Sequence, residues 1–129
     1  MQHIIPEIVR NTMIIGCGSF LGGAARYLIS IAMRAASKGF PWGTLLVNLI
    51  GCLLIGLLWG FFSRTSSESG SWSLFLTVGL CGGFTTFSTF SKEALIMLQA
   101  GQIWGFAGYI ALSVVTGIAL VALGYVLMK

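Results

Sequence analysis

Gly79-Leu80-Cys81-Gly82-Gly83-Phe84-Thr85-Thr86-Phe87-Ser88-Thr89-Phe90-Ser91-Lys92-Glu93 lies inside a hydrophobic segment, yet it holds three glycines, five hydroxyl residues, three phenylalanines and an adjacent Lys-Glu pair. A helix that faces only lipid has no use for that mixture. The Gly82-Gly83 pair gives the backbone freedom and weakens a helix locally. Interrupted backbone at membrane depth persists only where protein buries it or where it lines a polar cavity, because lipid cannot satisfy freed N–H and C=O groups. The stretch therefore points to a permeation or substrate path built around a broken helix.

The sequence on either side agrees with a membrane setting. The chain has 129 residues, 57% of them hydrophobic and only 8% charged, with a mean hydropathy of +0.96. Those values fit a membrane protein and not a soluble domain. Each helical span takes about 20 residues, so four spans use most of the chain and leave no room for a soluble catalytic domain. The reading is one all-α transmembrane domain with spans near 12–33, 42–62, 72–99 and 103–128. As one straight helix the third would run about 42 Å, against a hydrocarbon core of about 30 Å. A break near 82–86 resolves the excess more simply than tilt does.

Residues 1–11 read as a polar interfacial lead-in carrying Pro6, Glu7 and Arg10. The first span is not a cleaved signal, since its apolar run resumes past Arg26 to Met33 and everything downstream is membrane-like. Trp42 is a candidate interfacial anchor after the loop at 34–41. The serine-rich stretch at 63–71 reads as a flexible turn. Cys17, Cys52 and Cys81 are widely spaced in apolar segments and read as packing residues, and His3 as a solvated terminal residue. The formal charge of +4 comes from seven scattered basic residues, which argues for membrane flanks and against a nucleic-acid footprint.

With four spans, Arg10, Arg64 and Lys129 fall on one side and Arg34 and Lys38 on the other. So even a balance suits a protein that inserts in both orientations and pairs as an antiparallel dimer, and it equally leaves open a single topology. Gly18/Gly22, Gly56/Gly60 and Gly79/Gly83 have the spacing that permits close helix contact.

Several side chains carry candidate chemistry. Asn48 sits among aliphatics, and hydrocarbon cannot serve its amide, so it either bonds across helices or faces a small desolvated anion. Phe87 and Phe90 are three apart and share a helical face. They either pack in a core or turn their positive ring edges to an anion, and the interleaved Thr86, Ser88, Thr89 and Ser91 favour a polar partner. Arg26 lies midway along the first span with no acid there to neutralise it. It either snorkels or draws anions to a vestibule. Lys92 and Glu93 are adjacent and diverge on a helix. Tyr109, Ser113 and Thr116 are the polar residues of an otherwise aliphatic fourth span. No Walker loop, zinc site or nucleophile-base pair is present, so no enzyme is expected.

Gly82-Gly83-Phe84-Thr85-Thr86-Phe87-Ser88-Thr89-Phe90-Ser91-Lys92-Glu93 closely resembles the central signature of the Fluc (CrcB-type) fluoride channels, as do Gly22-x-x-x-Arg26 and Gly43-Thr44-Leu45-x-Val47-Asn48. The motifs keep the family's order, and the resemblance spans essentially the whole chain. It implies a dual-topology antiparallel homodimer in the bacterial inner membrane, with two pores that let fluoride out of the cytoplasm passively. By the same resemblance, Asn48 lines each pore, Phe87 and Phe90 form aromatic boxes, and Ser88, Thr89 and Tyr109 continue a polar track. Arg26 and Glu93 fall at the vestibules. The Gly82 and Thr85 carbonyls of both subunits hold a structural sodium ion at the dimer centre. Two rivals are a small drug or cation antiporter, which needs a titratable acid in its path, and a non-transporting membrane subunit.

Overall fold

A computed structural model describes residues 2–129. Among these residues four helical spans, Ile4–Ala32, Trp42–Arg64, Ser71–Gln99 and Ile103–Met128, are each long and apolar enough to cross a membrane. The first is α1 (Ile4–Ala32), which begins earlier than the sequence reading placed it. Pro6 falls in the first turn, where its missing N–H costs no helical bond, so the lead-in is a helical extension of the span. The second is α2 (Trp42–Arg64).

The third span is built from unlike pieces. A single turn, α3 (Ser71–Ser73), runs into a π-helical stretch at Leu74–Cys81 and then α4 (Gly82–Phe84). After an extended link the chain re-enters a helix as α5 (Phe87–Gln99). The fourth span is α6 (Ile103–Met128). The helix breaks at Thr85 (φ −84°, ψ 159°) and Thr86 (φ −148°, ψ 117°), downstream of the glycine pair. Gly82 itself is helical, with φ −62° and ψ −40°. The physical reason is packing: a Cβ on Gly83 would stand 2.6 Å from Ser19 O on α1, so the glycine serves close approach. The β-branched threonines accept the extended backbone instead.

Two tight helix pairs organise the bundle. The π-helical stretch and α4 lie on α1, while α2 lies on α6. Each of the glycine spacings noted in the sequence is used. A Cβ on Gly18 would strike Phe75 O and one on Gly22 would strike Leu80 O, and one on Gly79 would come within 2.8 Å of Ile15 O. On the other pair, Gly56 faces Val121 O and Gly60 faces Tyr125 O, the latter at 2.7 Å from a built Cβ. Backbone contact of this kind is how helices associate in lipid, where no hydrophobic drive separates helix from tail. α5 completes the fold by burying Ala94 and Met97 against Leu45 and Tyr109, with Phe40, Leu49, Phe90 and Phe106 around them. Phe90, Ala94 and Met97 recur at helical spacing and form its inner stripe.

Candidate ion-conducting site

Two consecutive extended residues interrupt the hydrogen-bond ladder of the third span, and each freed group must find a partner. Asn48 on α2 partners two of them. Thr86 N–H donates to Asn48 Oδ1 at 2.8 Å, and Asn48 Nδ2 donates to Thr86 O at 3.0 Å. Because a backbone N–H can only donate, this pairing fixes which way the amide points. The side chain acts as a substitute peptide group spliced into the break. One N–H of the Asn48 amide remains outside the clamp.

Threonine hydroxyls close the two helix ends. Thr86 is the N-cap of α5, its Oγ1 accepting from Thr89 N–H at 3.2 Å, and Thr85 Oγ1 donates to Cys81 O at 2.9 Å. From α1, Arg26 Nε donates to Gly83 O at 3.2 Å and Ser19 Oγ to Gly79 O at 3.4 Å. Arg26 is half-buried and tied to the end of α4.

Some groups stay free. Gly82 O and Thr85 O lose their i+4 donors, because Thr86 N–H goes to Asn48 and Thr89 N–H to Thr86 Oγ1, and Phe87 N–H and Ser88 N–H, in the first turn of α5, have no acceptor within their own helix. The free carbonyls are hard oxygen donors beside an open glycine, with nothing within 4 Å of a Cβ built on Gly82. Such donors at a helix interruption suit a small hard cation. The free N–H groups form the positive end of α5 and suit an anion.

Several of these residues line a cavity of about 340 Å³, among them Asn48, Gly82, Thr85, Thr86, Phe87 and Phe90. Phe87 stands 79% exposed at its rim, its ring centroid 5.9 Å from that of Phe90. Phe90 in turn meets Tyr109 edge-on at 4.9 Å. Tyr109 is fully buried and donates its hydroxyl to Glu93 Oε1 at 3.1 Å. The structure thus brings together Asn48, Gly82, Thr85, Phe87 and Phe90. It sets Tyr109 and Glu93 one layer behind them. Ser88 is exposed, its Oγ 3.4 Å from Thr86 Oγ1, and neither it nor Thr89 lines the cavity.

Ser113 also lines this cavity, although the sequence singled it out only as a polar residue in an aliphatic helix. Its Oγ is buried with no hydrogen-bond partner among the described residues. A buried hydroxyl without a partner is uncommon and calls for a ligand or water. Its position four residues after Tyr109, on one helical face, was the available signal.

Comparison with known proteins places the chain in a family. A model of the CrcB-like proteins (CrcB-like protein, Camphor Resistance) matches residues 13–125. The fluoride-specific ion channel FluC of Desulfotalea psychrophila is 43% identical over 117 residues, covering 91% of this chain and 91% of that protein. The fluoride-specific ion channel FluC 1 of Yersinia pestis is 42% identical over 120 residues, covering 92% and 94%. FluC of Phocaeicola vulgatus is 45% identical over 117 residues, covering 90% and 96%.

Proposed function

The chain belongs to the CrcB-like family, and on that premise we propose that it is a passive, fluoride-selective channel of a bacterial inner membrane, releasing fluoride from the cytoplasm and so relieving its toxicity. The observation that carries the reading is the clamped break: Asn48 holds Thr86 at the start of α5, beside a cavity whose lining also includes Phe87 and Phe90. A fluoride ion leaving water needs its hydration replaced by directed donors. Phe87 N–H and the spare Asn48 N–H offer that replacement without a fixed positive charge. The ring edges of Phe87 and Phe90 add weak attraction. Weak, repeated binding lets an ion enter and also leave.

The working unit in this proposal is an antiparallel homodimer with two pores. Phe87, so exposed at the cavity rim, is covered by a second copy, and the near balance of basic residues across the two faces supports insertion both ways. A structural sodium ion fits the free Gly82 and Thr85 carbonyls of two copies. When bound, it supplies a positive centre that holds the interrupted backbones of the two subunits together. Arg26 positions this region through Gly83 O. Transport in this proposal is passive: among the described residues, no carboxylate lines the main cavity, and Glu93 lies behind Tyr109.

Purified protein in liposomes loaded with fluoride tests the reading. Efflux down the fluoride gradient alone is expected, without a proton gradient or partner protein. Efflux that requires a proton gradient would favour an antiporter, and absence of efflux from folded protein would favour a non-transporting subunit.

A further inference from the structure

A second cavity, of about 240 Å³, lies under the loop between α1 and α2, and its lining includes Lys38, Phe40, Glu93 and Gln102. One layer of rings separates it from the main cavity. Phe90 lines the main cavity and meets Tyr109, and Phe40 lines the second and meets Tyr109 from the other side, edge-on at 5.3 Å. Glu93, which Tyr109 anchors through its hydroxyl, is also in the wall. An anion moving beyond the aromatic layer thus meets a carboxylate. Like charge at short range opposes passage, so this end of the path needs a compensating positive group.

Only Lys38 can supply it from the wall. Among the described residues, Lys38 and Glu93 are its sole charged lining residues. The Ser37 hydroxyl is already used, donating to Met33 O at 2.8 Å and accepting from Gly43 N–H at 3.0 Å. Arg34 belongs to the same loop but does not line the cavity. We propose that this cavity is an outer anion site, in which the Lys38 ammonium gathers a small hydrated anion and offsets Glu93 at the mouth of the path. The assignment rests on the channel reading for its ligand, fluoride. Lys38 is exposed, and the pull of an exposed charge on an anion fades as salt shortens the screening distance.

Two measurements on the reconstituted full-length protein test the site. Initial fluoride efflux is compared for wild type, Lys38→Gln, Lys38→Arg and Arg34→Gln at low and high ionic strength. Lys38→Gln is expected to lower the low-salt rate about tenfold and to lose most of that deficit at high salt, while Lys38→Arg retains the wild-type rate. Arg34→Gln is expected to leave it within about twofold. The second measurement is the acylation rate of the Lys38 amine in wild type, with sodium fluoride against sodium gluconate. Fluoride is expected to slow it. Equal effects of Lys38→Gln and Arg34→Gln, or a salt-independent Lys38→Gln, would overturn the site while leaving the channel intact. Protection of Lys38 by fluoride in a protein that transports none would sink the channel reading and keep the site. Absence of both protection and transport would overturn both.

Discussion

Asn48→Ala tests the clamp at the break. The substitution removes the 2.8 Å bond from Thr86 N–H and the 3.0 Å bond to Thr86 O. A backbone N–H left without a partner costs about 1–3 kcal/mol, and the second bond adds about 1 kcal/mol, so local opening at Thr86 becomes easier by roughly 2–4 kcal/mol. At 1.4 kcal/mol per factor of ten, that is about a 30- to 1000-fold faster exchange of the Thr86 amide hydrogen. Hydrogen–deuterium exchange, resolved to residues around 85–90 in reconstituted protein, reads this directly. Exchange in the α2–α6 pair should change far less, because its seam of Gly56, Gly60 and Gly124 does not involve Asn48. Fluoride efflux should collapse in the same variant, since both the spare amide donor and the geometry of the Phe87 and Ser88 N–H groups are lost. Unchanged exchange at Thr86 would refute the clamp, whatever happened to transport.

Phe87→Ile with Phe90→Ile keeps apolar bulk and discards the ring quadrupole; efflux should fall steeply in protein that still elutes as folded, and normal efflux would leave these rings a packing role only. Gly83→Ala places a methyl 2.6 Å from Ser19 O and should cost about 1–3 kcal/mol as overpacking, seen as earlier thermal aggregation in detergent; a wild-type profile would show that α1 and α4 can separate freely. Removal of sodium throughout purification and reconstitution should lower both activity and dimer yield, restored on adding sodium back, and full stable efflux without sodium would argue against the carbonyl site.

Hydropathy made the four spans legible, because length and apolar content are local properties of the chain. The position of the break was less so. Gly82-Gly83 has low helix propensity, but Gly83 is pressed against Ser19 while Thr85 and Thr86 supply hydroxyl caps, and that contest is decided by α1, remote in sequence. The π-helical stretch at Leu74–Cys81 left no readable period, although Thr77 Oγ1 bonding back to Ser73 O marks where the ladder loosens. The lead-in at 1–11 proved helical from Ile4 because a proline in the first turn costs no helical bond. Asn48 was conspicuous as a polar residue among aliphatics, yet its partner lies 38 residues away, so its double bond to Thr86 was invisible. The bond from Tyr109 to Glu93 and the unpartnered Ser113 hydroxyl were hidden for the same reason.

The zero-current voltage of the protein in a planar bilayer, with fluoride graded across the membrane and pH equal and then unequal on the two sides, tests the central claim most directly. A passive fluoride channel reverses at the fluoride equilibrium potential and stays there when a pH gradient is imposed or chloride is substituted for an impermeant anion. A reversal potential that moved with pH would indicate proton coupling, one that followed chloride would remove the selectivity, and either result would contradict the account.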